Sequence, residues 1–103
     1  MGKINVTQVI KNFDDEPMTL NNEEMTLRSA LTTALAKSQE QQAAAKQYEL
    51  FSLGLRISRR DELELTSEER TTLKEACSKV FTPIVTGRVW QILEGLTDED
   101  ILG

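Results

Sequence analysis

At 103 residues the chain has room for one domain, and at 39% hydrophobic and 28% charged it is too apolar to stay disordered throughout. A formal net charge of -5 repels phosphates and anionic lipid on average, which disfavours nucleic acid and membrane surfaces as partners. With no histidine, serine triads, Cys-His pairs and histidine metal sites are excluded, and only 5% aromatic residues leave a Leu, Ile, Val and Ala core that suits packed helices.

Residues 3–20 alternate loosely. Ile4 and Val6 fit a short strand, whereas Val9, Ile10 and Phe13 fit one helical turn, and both readings stay open. Turn signals at Asp14, Asp15, Glu16 and Pro17 and again at Asn21 and Asn22 favour a small β-hairpin or extended arm over residues 1–25, with 17–20 returning along the first strand. Thr26 then caps a helix whose Leu27, Ala30, Leu31, Ala34 and Leu35 recur at three- and four-residue steps on one face. Residues 37–42 turn polar without Gly or Pro, so the helix either ends there or bends into the next.

Residues 41–57 are rich in helix formers. Ala44, Tyr48, Phe51 and Leu55 share a stripe that Leu50, Leu53 and Ile57 widen, which predicts burial on two sides. A stripe wider than one small core can cover also predicts self-association. Gly54 in this helix costs about 1 kcal/mol relative to Ala, a cost expected where another helix crosses closely. Arg56, Arg59 and Arg60 form a basic helix end that complements the last carbonyls and is expected to pair with Asp61 and Glu62.

Leu63 and Leu65 alternate with acids in an extended connector. Thr66, Ser67, Glu68 and Glu69 spell a capping box that opens a helix carrying Leu73, Ala76, Cys77, Val80 and Phe81. Pro83 suits the first position of a new helix capped by Thr82. That helix carries Ile84, Val85, Val89, Trp90, Ile92 and Leu93 and ends at Gly95, while residues 97–103 read as a fraying tail in which Thr97-Asp98-Glu99-Asp100 offers the start of another turn. The fold class is mainly α: about four helices in a compact bundle over residues 26–96, plus the N-terminal arm or hairpin.

Catalytic motifs are missing from the pattern. Cys77 sits on an apolar helix face with no base to activate it and reads as a core residue. The acid groups at 14–16, 23–24 and 98–100 lack the spacing of a calcium loop, and isolated glycines make no phosphate loop. Neither a metal nor a cofactor is expected, nor an enzymatic activity. A helix-turn-helix across Thr82 and Pro83 offers only Arg88 as a strong reader, which argues against a DNA-binding regulator. Trp90 beside Arg88 reads as core or as a partner-facing anchor, since both residue types are enriched at binding hot spots.

The N-terminus lacks the apolar core of a signal peptide, Gly2 has Val6 where a myristoylation site prefers Ser or Thr, and no run reaches the length of a membrane span. The single cysteine fits a reducing compartment.

The segment Glu64-Leu65-Thr66-Ser67-Glu68-Glu69 and the later Val80-Phe81-Thr82-Pro83-Ile84-Val85-Thr86-Gly87-Arg88-Val89-Trp90-Gln91-Ile92-Leu93-Glu94 resemble a group of small proteins of unassigned function encoded in tailed phages and prophages. Leu27-Arg28-Ser29-Ala30-Leu31 and Tyr48-Glu49-Leu50 extend the resemblance over residues 26–94. The resemblance implies a viral origin and a place in the bacterial cytoplasm or the virion, and it carries over no site residues. Together these readings predict a protein-binding adaptor or inhibitor of a host or phage protein, with Trp90, Arg88, Arg56, Arg59 and Arg60 as contacts and a homo-oligomer as companion. A virion assembly factor, such as a tail-assembly chaperone or minor structural protein, is the first alternative, and a DNA-binding regulator is the second.

Overall fold

The computed structural model describes residues 3–37 and 43–103. Residues 38–42, which hold the boundary expected between the first two helices, lie outside the described residues, as does Gly2. The N-terminal segment is woven from β-bridges. β1 (Ile4–Asn5) pairs antiparallel with β4 (Glu62–Leu63), setting Ile4 opposite Leu63. The Val6 N–H donates to the Asp61 carbonyl at 2.9 Å, and the Arg28 N–H donates to the Val6 carbonyl at 2.8 Å. β2 (Thr19–Leu20) and β3 (Glu23–Glu24) form a hairpin around Asn21 and Asn22. Both asparagines have positive φ, 54° and 68°, as a two-residue primed turn requires, and asparagine tolerates that region better than most residues.

Residues 17–20 therefore do not return along Ile4 and Val6, as their alternation suggested. Lys11 bridges Pro17, and Met18 donates to Ile10 while accepting from Met25. Ile10 and Met25 fill the space beneath these bridges and are buried with Val6. Phe13 follows in a loop fixed by Asn12, whose Oδ1 accepts from the amides of Asp14 and Glu16.

α1 (Leu27–Lys37) starts where Thr26 predicted. Thr26 Oγ1 accepts from the Ser29 N–H at 3.1 Å and Ser29 Oγ accepts from the Thr26 N–H at 2.9 Å, the reciprocal logic of a capping box with serine in place of glutamate. Its Leu27, Ala30, Leu31 and Ala34 are buried, because α1 packs against α2 (Ala44–Arg59), α3 (Ser67–Val80) and α4 (Pro83–Glu94). Leu63 and Leu65 point inward from the connector, and Glu62 and Glu64 point outward. The Thr66 and Glu69 capping box is formed in both directions, Pro83 opens α4, and Gly95 closes it at φ 69°. Residues 98–102, part of the expected tail, make one more helix, α5 (Asp98–Leu102), with its own capping box between Thr97 and Asp100.

α2 departs furthest from expectation. Only Leu53 and Ile57 on its inner side are buried. The predicted burial on two sides does not occur: α1 covers one side, and Tyr48, Phe51 and Leu55 on the other stay largely exposed, with no element among the described residues packed over them. Gly54 faces Leu35, whose Cδ1 lies 3.5 Å from where a Cβ would stand. That is ordinary contact, so the crossing expected there leaves room for a methyl group.

Candidate functional site

The five residues singled out from the sequence do not converge on one place. At the end of α2, Arg56 pairs with Glu69 of α3, not with the acids that follow it. Partial burial pushes the Glu69 carboxyl up, but the Thr66 amide and the Arg56 guanidinium together hold it below its ordinary value. Asp61, the expected partner of this basic end, instead pairs with Arg28 at 2.7 Å. Arg59 and Arg60 are exposed, and their side chains have no ion-pair partner among the described residues.

Arg28, which no sequence motif marks, does the capping expected of the arginine cluster. From α1 its Nε donates to the Ile57 carbonyl at 3.0 Å and its Nη2 to the Arg60 carbonyl at 2.8 Å, satisfying the C-terminal end of α2. A cation in the first turn of a helix opposes that helix's dipole. Its placement at residue 28 was the available hint that the charge serves another element.

Arg88 on α4 is likewise committed inside the molecule. It donates to the carbonyls of Lys11 and Asn12, both at 3.1 Å, to Gln91 Oε1 at 2.9 Å and to Asp98 Oδ1 at 2.6 Å. Gln91 and Arg88 hold the Asp98 carboxyl below its ordinary value. Arg88 thereby ties the N-terminal loop, α4 and α5 together. Trp90 lies on the other side of α4, about half exposed at 49%. Lys74 of α3 sits 4.2 Å from its ring centroid and also pairs with Glu94. Cys77 is buried, and burial pushes its thiol up to about 12, which makes it inert at neutral pH.

Two uncovered apolar faces stand out instead. On α2, Tyr48, Phe51 and Leu55 are 69%, 61% and 42% exposed. The Tyr48 and Phe51 rings pack at 6.2 Å between centroids, so the aromatic pair is a preformed ridge. The second face is a groove of about 320 Å³ where α4 meets α5, with apolar walls from Phe13, Pro83, Ile84, Ile101 and Leu102. The sequence concealed this groove because Phe13, Ile84 and Ile101 meet only once Arg88 has docked the loop and α5 on α4. Among the described residues no group of three or more metal-ligating side chains gathers, and no helix is long and apolar enough to cross a membrane. Comparison with protein-family models, curated proteins and solved structures found no match.

Proposed function

We propose that this chain is a virus-encoded, non-catalytic protein-binding domain that acts in the bacterial host on a host or phage protein. The observation that carries the reading is the uncovered ridge of Tyr48, Phe51 and Leu55 on α2. Three large apolar side chains exposed on one helix face forgo the favourable free energy of leaving water, and aromatic anchors of this kind dominate interface energetics. The commitment of Arg88 to internal acceptors takes the strongest reader of a helix-turn-helix away from DNA, which favours protein over nucleic acid. The absence of histidine and the inert Cys77 support a role without catalysis, and the phage-like segments at residues 64–69 and 80–94 support the viral origin.

Affinity capture from infected or lysogenic cells with the full chain tests this reading when run beside the Phe51→Glu, Leu55→Glu double variant. The expected outcome is a protein retained by the wild type and lost from the variant. Identical sets of captured proteins from both would contradict it.

A further inference from the structure

The two walls of the groove at α4 are fastened by one side chain. α5 buries no residue, and Asp98 is its one side chain hydrogen-bonded to the rest of the molecule among the described residues. It accepts from Arg88 Nη1 at 2.6 Å and from Gln91 Nε2 at 2.9 Å. The opposite wall, the loop carrying Phe13, closes on itself through Asn12. Its hydrogen bonds to α4 are those that Arg88 donates to the Lys11 and Asn12 carbonyls, and Asp15 of the same loop lies 3.8 Å from that guanidinium. Apolar packing adds little to either wall. Phe13, Ile101 and Leu102 are largely exposed, and no atom lies within 4 Å of where a Cβ on Gly87 would stand in the groove floor. Segments with so few buried apolar contacts open at a lower free energy than the core beneath them.

We infer that α5 and the Phe13 loop open together as one unit with Arg88 as their shared clasp, so that the groove is gated by both walls at once. The guanidinium is a rigid planar fork: Nη1 holds α5 while Nε and Nη2 hold the loop, and the orientation that serves one wall serves the other. When Asp98 leaves, Arg88 loses its ion pair and the contact that fixes the direction of the fork. Its donors to Lys11 and Asn12 then turn to water, and the loop loosens although none of its own internal hydrogen bonds was removed. A loop that pulls away weakens the hold on Asp98 in the same measure, because coupling between two sites is reciprocal. Arg88 and Gln91 stay in α4 throughout, so opening uncovers the Pro83, Ile84 and Gly87 face and leaves the buried core of α1, α3 and α4 in place. The gate does not depend on which partner the α2 ridge takes.

Amide hydrogen exchange followed by NMR on the full chain tests the gate with Asp98→Ala set against Glu99→Ala. Each variant removes one acid from the first turn of α5, but the Glu99 side chain makes no hydrogen bond or ion pair among the described residues, so the second controls for lost charge at the helix end. Asp98→Ala should speed exchange at Thr97 and Gly103 in α5 and, by roughly two- to fivefold, at Asn12 and Glu16 in the loop. Those loop amides report directly, because the Asn12 N–H donates to the Glu16 carbonyl at 2.8 Å and the Glu16 N–H to Asn12 Oδ1 at 3.0 Å. Glu99→Ala should leave Asn12 and Glu16 at wild-type rates, and Leu31 and Val89, buried in α1 and α4, should keep theirs in both variants. Faster exchange in α5 alone, or in neither wall, would overturn the inference and reduce α5 to a fraying end. Loop rates that rise equally in both variants, or a rise shared by Leu31 and Val89, would overturn it too, since the walls would then answer to helix-end charge or to the whole domain.

Discussion

The inner and outer faces of α2 carry side chains of similar size and hydrophobicity but have opposite fates. Leu53 and Ile57 are sealed against α1, and the Arg28 guanidinium closes the helix end beside them. Tyr48, Phe51 and Leu55, half a turn away, stay largely exposed. The contrast separates what the domain spends on its own fold from what it holds for a partner: one helix serves as core on one side and as docking ridge on the other.

Substitutions that compare the two faces should differ most in the core. Ile57→Ala removes buried methylene groups from a fully enclosed position and should cost about 2–5 kcal/mol in urea unfolding, whereas Leu55→Ala should stay within about 1 kcal/mol of wild type. Equal losses at both positions would erase the distinction. Arg28→Ala strips the donor from two helix-end carbonyls and from Asp61, and should cost about 1–3 kcal/mol, while Arg59→Ala on the outer stripe should change unfolding by no more than about 0.5 kcal/mol. Gly54→Ala should stabilise by up to about 1 kcal/mol, because Leu35 leaves room and the helix gains propensity. A destabilised variant would show that α1 and α2 approach more closely than the contact at Gly54 indicates.

The smallest effect concerns acid. Glu69 is held below its ordinary value of 4.5 in the fold, so its contribution is complete above that pH. It fades as pH falls through the lower folded value. Urea midpoints measured from neutral pH into acid should drop below about pH 4.5, and Glu69→Gln should make that drop shallower. An identical acid profile in the variant would detach the seam between α2 and α3 from the Arg56 pair.

What was legible in the sequence was what neighbours within one helical turn decide. Thr26, the Thr66 and Glu69 box, Pro83 and Gly95 each satisfy or spare backbone groups locally, and each marks a helix end in the structure. Periodicity likewise showed that α2 is apolar, but not which face α1 would choose, because that depends on competition between faces across the whole core. The pairing of β1 with β4 and the reach of Arg88 to Lys11, 77 residues away, leave no local signature. The groove built on that reach was hidden with it, whereas the Thr97 and Asp100 capping box that opens α5 is a local signal, and Arg88 adds a contact to Asp98 that no local pattern shows.

The central claim, that the outer face of α2 is kept for a protein partner and not for folding, is tested most directly by one variant measured twice. Phe51→Glu with Leu55→Glu should leave the thermal midpoint unchanged and abolish retention of the partner, whether that partner is another copy or a foreign protein. A midpoint that falls steeply, or a partner retained at full strength, would contradict it.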